Sequence, residues 1–239
     1  MKIGQKEGSV NSVIEDYVKV IYSHTEWQQQ PLTTTGLAER LGLAASSVTE
    51  MVKKLVAHGL VTHVPYGAIE LTDAGRSLAL RMVRRHRLIE TWLVESFGYN
   101  WDEVHDEAEV LEHAVSDRML DLIADKLGHP QRDPHGDPIP DARGRLVRPD
   151  AVVLTDAPDG FTGKVVRISD RNPDLLRYLE SQVITVDAGL TVLRRMPFGS
   201  SMMIGIGGTE LELGDEAAAS IWVAEARAEQ RPRQRRSYD

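Results

Sequence analysis

Between positions 104 and 113 the chain reads Val-His-Asp-Glu-Ala-Glu-Val-Leu-Glu-His, and four of these residues can bind a cation. On an α-helix, His105, Glu109, Glu112 and His113 fall at i, i+4, i+7 and i+8, which places two imidazoles and two carboxylates on one face. Charges at this density repel one another, and a cation between them reverses the sign of that interaction. His86 and Glu90 form another i, i+4 pair on a preceding helical segment, and Asp16 is a further carboxylate candidate. One such pair is readily explained as a solvated acidic helix or a packing histidine. Two helices with His/Glu pairs on core-facing sides favour a metal.

The ligand types narrow the ion. The chain has no cysteine, so thiolate ligands and disulfides are excluded, which fits a cytoplasmic protein. Imidazole and carboxylate accept Mn(II), Fe(II), Co(II) or Zn(II), and the oxygen-rich set leans toward Mn(II). No organic cofactor is expected. Neither the N-terminus nor any later stretch approaches the roughly 18–20 apolar residues that cross a bilayer, so no membrane association is expected.

The formal net charge of −8 conceals a polarity. Residues 31–91 hold eight Lys/Arg against five Asp/Glu, whereas residues 101–141 hold three against twelve. One region suits phosphate and the next suits cations.

The elements that position these residues follow from periodicity. Ser12–Trp27 is an expected amphipathic helix with Val13, Tyr17, Val20 and Ile21 on one stripe and Asp16 at its edge. Thr33-Thr34-Thr35 offers N-cap oxygens for a short helix ending near Leu41-Gly42, and a second helix spans Ala44–His58 with Val48, Met51, Val52 and Leu55 inward. Two short strands around Pro65-Tyr66-Gly67 follow, then a long helix from Thr72-Asp73 to about Phe97 with Leu78, Met82, His86, Ile89 and Leu93 buried. A single helix is expected from Trp101 to about Leu127, and the Pro- and Asp-rich stretch 129–149 has a linker's composition. Beyond it, strands at Val152–Leu154, Gly163–Ser169, Leu190–Arg195, Met202–Ile206 and Glu210–Leu213, with helices at Asp174–Ser181 and Asp215–Ala224, make the inventory of a small β-barrel. The Arg-rich tail has no apolar anchor and is expected to be disordered.

Helix, tight turn, helix and hairpin in that order form the winged helix-turn-helix plan. The second helix opens with Ala45, Ser46, Ser47, Thr49 and Glu50. Its small residues allow close approach to the major-groove floor, its hydroxyls can donate to bases or phosphates, and Glu50 can accept from a cytosine amino group. Lys53 and Lys54 follow one turn later within reach of phosphate, and Thr34 on the preceding helix completes the candidate set. The Arg84-Arg85-His86-Arg87 run is treated as a wet face rather than a phosphate patch. The rivals are a carboxylate-bridged metalloenzyme and a regulator sensing an organic ligand. The enzyme needs Glu-x-x-His on paired helices, whereas Glu109 is followed three positions later by Glu112.

These residues resemble those of the diphtheria-toxin-repressor family, specifically its manganese transport regulators. The resemblance is carried by Glu15-Asp16-Tyr17-Val18, Ser46-Ser47-Val48-Thr49, Arg85-His86-Arg87-Leu88-Ile89-Glu90, the 105–117 segment and Gly136-Asp137-Pro138-Ile139-Pro140. It implies a regulatory site of Asp16, Glu109, Glu112 and His113, and a second site of His86, Glu90 and His105. Iron-responsive members carry Met at the position of Asp16 and Cys at that of Glu109, so the oxygen ligands here resemble the manganese type; an iron-dependent repressor is the alternative. Some manganese regulators carry Glu where this chain has Lys19, so their two-ion cluster does not carry over intact. In three-domain members the barrel supplies ligands to the second site; Asn172 and Leu175 align there, Leu175 cannot coordinate, and Asp170 or Asp174 are the substitutes.

The expected fold class is α+β: a winged-helix domain (1–73), an all-α metal-binding and dimerisation domain (74–141), a linker (142–150), an SH3-like β domain (151–226) and a basic tail (227–239). The resemblance implies a homodimer that binds a palindromic double-stranded operator when metal is bound and represses metal-uptake genes, with the barrel modulating rather than contacting DNA.

Overall fold

Helix α1 (Gly4–Trp27) opens a computed structural model that describes residues 4–27, 30–64, 67–197 and 199–225, the first eight of these by backbone alone. It begins well before the expected Ser12. Its buried stripe is Ile14, Tyr17, Val18, Ile21 and Tyr22, rotated from the predicted Val13, Tyr17, Val20 and Ile21; Val13 is exposed and Val20 half-buried. Lys19 therefore falls on the buried side.

Helices α2 (Thr34–Leu41) and α3 (Ala45–Ala57) follow. Thr33, the first of the three threonines, is the N-cap of α2 and accepts from the Gly36 amide, and Gly42 closes α2 at φ 63°. Strands β1 (Val61–His63) and β2 (Ile69–Leu71) pair antiparallel as the wing. The Pro65-Tyr66 tip lies outside the described residues. All these elements share one core with α1, built on Leu37, Val48, Val52, Leu55, Val61 and Ile69.

Helix α4 (Asp73–Phe97) is capped by Thr72 and ended by Gly98 at φ 71°. Its six central residues, His86 to Thr91, are all buried, so this is a central helix rather than the one-striped helix expected from periodicity. Arg87 lies among them, contrary to the wet-face reading, and Leu78 is only half-buried.

The expected Trp101–Leu127 helix is two helices, α5 (Val104–Leu111) and α6 (Asp117–Lys126). Two local devices break it. Ser116 caps α6 by accepting from the Met119 amide. Arg85 of α4 donates to the Glu112 carbonyl at 2.8 Å and to the Val115 carbonyl, and pairs with Asp117, so it satisfies carbonyls that a continuing helix would have used. Segment 129–141 is not a free linker. Asp133, His135, Asp137 and Ile139 are buried, and Ile139 packs in the second core with Leu88, Ile89, Leu93, Val104, Ala108, Leu120 and Ala124.

The chain divides into two compact units, 1–147 and 148–239. The second contains β3 (Val152–Val153), a 3-10 turn at Leu154–Asp156 in place of the end of that strand, β4 (Thr162–Ile168), α7 (Pro173–Ser181), β5 (Gly189–Arg195), β6 (Ser201–Ile206), β7 (Thr209–Gly214), α8 (Asp215–Ala218) and β8 (Ile221–Glu225). Its six-stranded sheet has the order β3-β8-β4-β5-β6-β7. The expected helix at 215–224 stops at Ala218, and Ile221, Trp222 and Val223 instead form a strand paired on both sides, in keeping with their β preference. Asn172 caps α7, and Asp174 pairs with Arg177 one turn on. The Arg-rich tail lies outside the described residues. Among the described residues, no helix is long and apolar enough to cross a membrane.

The junction of the wing and α4 leaves no room for a side chain at Gly75, where an added Cβ would lie 1.9 Å from the Leu60 carbonyl oxygen. Thr72 donates to the Gly59 carbonyl at 2.7 Å and pins the same junction. Gly75→Ala is expected to cost about 1–3 kcal/mol through overpacking against backbone, measured by urea unfolding; unchanged stability contradicts the tight approach.

Candidate metal centre

Three helices bring the charged residues together. Helix α1 supplies Glu15, Asp16 and Lys19; α4 supplies His86 and Glu90; α5 supplies His105 and Glu109, with Glu112 as its C-cap and His113 in the turn beyond. Glu112 and His113 thus sit where the helix ends, which lets them diverge. The Glu112 carboxylate turns inward to His86, and the His113 ring turns toward α1.

His113 Nε2 lies 2.7 Å from Asp16 Oδ1 and 3.5 Å from Glu112 Oε1, while its Nδ1 is 3.1 Å from Glu15 Oε2. Asp16, Glu112 and His113 each offer a ligand atom within 4.8 Å of the others. His86, His105 and Glu109 form another such group. Glu90 joins it through Oε1, 2.9 Å from His86 Nε2 and 3.4 Å from His105 Nδ1. The partition differs from the expected one at Glu109, which lies 3.6 Å from His105 and 3.9 Å from His86 rather than within the Asp16 group.

Lys19 occupies the middle. Its buried ammonium is 2.7 Å from Glu109 Oε1 and 2.5 Å from Glu112 Oε1. Burial opposes its charge, but attraction to Glu112 and Glu109 prevails and its pKa is raised. Burial likewise opposes ionisation of Glu112, yet the His86 hydrogen bond and the His86 and Lys19 charges hold its pKa below the ordinary carboxylate value. Asp16 is raised, because burial outweighs its contacts with His113 and Lys19.

His86 is the most strongly polarised group. Nδ1 meets Glu112 Oε2 at 2.7 Å and Nε2 meets Glu90 Oε1 at 2.9 Å, so both ring nitrogens face carboxylates. Burial pushes its pKa down, but attraction to Glu90 and hydrogen bonds to Glu112 and Glu90 carry it up to about 10. Glu90 is held well below its ordinary value: burial opposes this, and His86 and His105 overcome it.

A second polar knot locks this frame. Arg87 pairs with Glu26 at 2.5 Å and donates to the Pro138 carbonyl at 2.7 Å, with Asp137 at 3.4 Å and Asp133 at 3.6 Å. Trp27 donates to Asp137 at 2.6 Å. Helix α1, α4 and the 129–141 segment are thereby joined. Burial, Asp137 and Glu90 push the Asp133 carboxyl up to about 8. Glu15, Glu26, Asp133, His135 and Asp137 were not singled out as site residues from sequence. The density of Asp and His within 129–141 was the available signal, masked by its prolines.

Of the residues expected to meet DNA, Ala45, Ser46, Ser47, Thr49, Glu50, Lys53 and Lys54 are exposed along α3, and Thr34 is half-buried. Thr49 donates to the Ala45 carbonyl, and Glu50 pairs with Lys53 at 2.7 Å. These contacts are exposed and weak enough to be exchanged for others.

Comparison with known proteins assigns the domains. Residues 10–69 match the model of the iron dependent repressor N-terminal DNA binding domain, 72–141 that of the iron dependent repressor metal binding and dimerisation domain, and 152–225 the FeoA domain. The iron-dependent repressor IdeR of Mycobacterium leprae is 32% identical over 222 residues, 87% of this chain and 95% of that protein. The chain belongs to the diphtheria-toxin-repressor family. Its member from Corynebacterium glutamicum, the diphtheria toxin repressor, is 32% identical over 87% of this chain and 94% of its own length. Among solved structures, a manganese-dependent transcriptional repressor in complex with manganese is 52% identical, with a TM-score of 0.86 over 89% of this chain and all of that one. ScaR with bound Zn2+ is 34% identical, with a TM-score of 0.78 over 89% of this chain and 99% of that one. For this family member, the fold is an N-terminal winged helix, a helical metal-binding and dimerisation domain and a C-terminal SH3-like strand-rich domain.

Metal ligation requires a neutral imidazole, whereas the carboxylates of Glu90 and Glu112 favour the charged form of His86 and push its pKa up to about 10. Metal taken up at His86 would therefore displace its proton, and affinity there is expected to rise with pH from neutrality toward 10. Calorimetric titration with Mn(II) at neutral pH, in buffers of different ionisation enthalpy, is expected to report about one proton released for each ion bound at this group. Equal heats in the two buffers contradict a charged His86.

Proposed function

We propose that this chain is a manganese-dependent repressor that binds a pseudo-palindromic operator as a homodimer and controls metal-uptake genes. The observation that carries the reading is the donor set joining α1 to the end of α5: Asp16 with Glu112 and His113, beside Glu109, all oxygen or imidazole and none sulfur. Asp16, Glu112 and His113 fit a divalent ion, since their ligand atoms converge within 4.8 Å. When bound, the ion supplies the positive charge that holds carboxylates from two elements together.

Helix α1 is the mechanical link. Ile14, Tyr17, Val18, Ile21 and Tyr22 belong to the core of the winged helix, and Asp16, Glu15 and Lys19 on the same helix face α5 and its end. An arrangement that brings Asp16 to Glu112 and His113 also sets the orientation of α3. Metal that binds this arrangement more tightly than others shifts the population toward it. Lys19 already neutralises Glu109 and Glu112, so the regulatory site takes one ion rather than a pair. His86, Glu90 and His105 hold a second ion on the α4 side.

Several apolar side chains of this domain are exposed in the single chain, among them Val110 (70%), Phe97 (62%) and Leu122 (55%). A second copy covers them, in keeping with the dimerisation-domain match. The exposed start of α3 then presents Ser46, Ser47, Thr49 and Glu50 to the major groove, with Lys53 and Lys54 toward phosphate. Such a protein acts in the cytoplasm, where its DNA lies, and turnover plays no part in the mechanism.

The iron alternative has support in the IdeR relatives, 31–32% identical. The oxygen donors at Asp16 and Glu109 and the more similar manganese-dependent repressor favour manganese. Affinity for an operator fragment selected from random-sequence DNA, measured with Mn(II) and with chelator, is expected to rise about 5–150-fold with metal, the range for a coupling of roughly 1–3 kcal/mol. Asp16→Ala is expected to abolish that rise. An affinity indifferent to metal contradicts the reading, and a response to Fe(II) with none to Mn(II) selects the alternative.

A further inference from the structure

Lys19 places a cation of the chain's own against the regulatory group. It follows Asp16 by one turn of α1, and its ammonium meets Glu112 Oε1 at 2.5 Å and Glu109 Oε1 at 2.7 Å. The Lys19 side chain is 8% exposed and that of Glu112 is wholly buried, so salt and water screen this pair little.

Both oxygens of Glu112 are engaged. Oε2 meets His86 Nδ1 at 2.7 Å, while Oε1 holds Lys19 and also lies 3.5 Å from His113 Nε2. The oxygen that faces His113, and through it Asp16, is thus the one that Lys19 already occupies. An ion shared by Asp16, Glu112 and His113 draws on that same oxygen. Metal–carboxylate distances are about 2.0–2.2 Å, so with the lone pairs of one oxygen spread about 120° apart, ion and ammonium would stand roughly 4 Å from each other. In a buried setting, repulsion between a single and a double positive charge at that spacing is strong.

The surroundings make Lys19 a competitor more than a strut. Glu109 is 40% exposed and offers the ammonium a second partner when Glu112 is taken. The position of α1 has other supports, since Ile14, Tyr17, Val18, Ile21 and Tyr22 pack in the winged-helix core and Glu26 is paired with the buried Arg87. Loss of the Lys19 link therefore changes the charge balance of the group more than the placement of the helix.

We propose that Lys19 is a tethered counter-ion that competes with the metal for Glu112 and so sets the metal concentration at which the regulatory group fills. This rests on the reading of Asp16, Glu112 and His113 as a metal group and adds what tunes it. Without metal the ammonium compensates the buried Glu112; with metal it gives up Glu112 and stays on Glu109.

Calorimetric titration of the full-length protein with Mn(II) at neutral pH, comparing wild type with Lys19→Met and Lys19→Gln, tests this. Met keeps the length without the charge, and Gln keeps an N–H donor without the charge. Both variants are expected to bind Mn(II) at the Asp16 group about tenfold more tightly or better, the ion being assigned to that group by its loss when Asp16→Ala is added. A residue that only braces the helices gives the opposite result, so equal or weaker binding in folded variants overturns the proposal. Crystals of the wild-type protein grown with MnCl2 decide it independently of the variants. The Lys19 ammonium is expected beyond hydrogen-bond reach of Glu112 and still on Glu109; an ammonium that keeps its contact with Glu112 beside a bound ion overturns the proposal alone. If Asp16→Ala removes no bound manganese from the otherwise wild-type protein, the proposal falls together with the reading on which it rests.

Discussion

Buried negative charge at the meeting of α1, α4 and α5 is the constraint on which the rest of the first unit depends. Taking a carboxylate out of water costs several kcal/mol unless a counter-charge lies close by. Glu112 and Glu90 are almost wholly buried, with Asp16 and Glu109 beside them. The chain answers with Lys19 and with a His86 kept protonated between two carboxylates. Each charge is held by partners from a different helix, so α1 cannot move without disturbing the balance. In the proposed reading, a metal ion would enter the same balance, held by Asp16, Glu112 and His113.

The second polar knot, around Arg87, explains why this balance is mechanically useful. Glu26, two turns beyond Lys19 on α1, and the Pro138 carbonyl fix one end of the helix pair. The carboxylate cluster lies toward the other end. Helix α1 is thus anchored at its C-terminal end and responsive to charge nearer its middle, while its apolar stripe belongs to the winged-helix core. In the proposed mechanism, small changes at the cluster would reach α3 through this shared core.

Sequence patterns governed by neighbouring residues were legible, and features set by remote partners were not. Thr33, Gly42, Thr72 and Gly98 marked helix ends because caps act within one turn. The His86/Glu90 pair was visible as an i, i+4 spacing. The break between α5 and α6 was hidden because one of its causes, Arg85, lies on another helix, although Ser116-Asp117 was a readable cap. The packing of 129–141 was missed because its prolines and aspartates imitate a linker, when those aspartates are buried partners of Arg87. Glu109 was placed with Asp16 by the family resemblance, whereas its carboxylate meets Lys19 at 2.7 Å, ninety residues away in sequence. Residues 221–224 were read as the end of a helix, whereas Ile221, Trp222 and Val223 pair on both sides with β3 and β4, in keeping with their β preference.

The central claim is that cation occupancy at the end of α5 fastens α1, and with it the winged helix. Amide hydrogen exchange of the full-length protein, followed by mass spectrometry during titration with Mn(II), tests it most directly. Peptides covering residues 13–22 are expected to gain protection in step with metal bound, and to lose that gain in His113→Ala. Exchange across α1 that is unchanged by saturating Mn(II), while metal is demonstrably bound, contradicts the account.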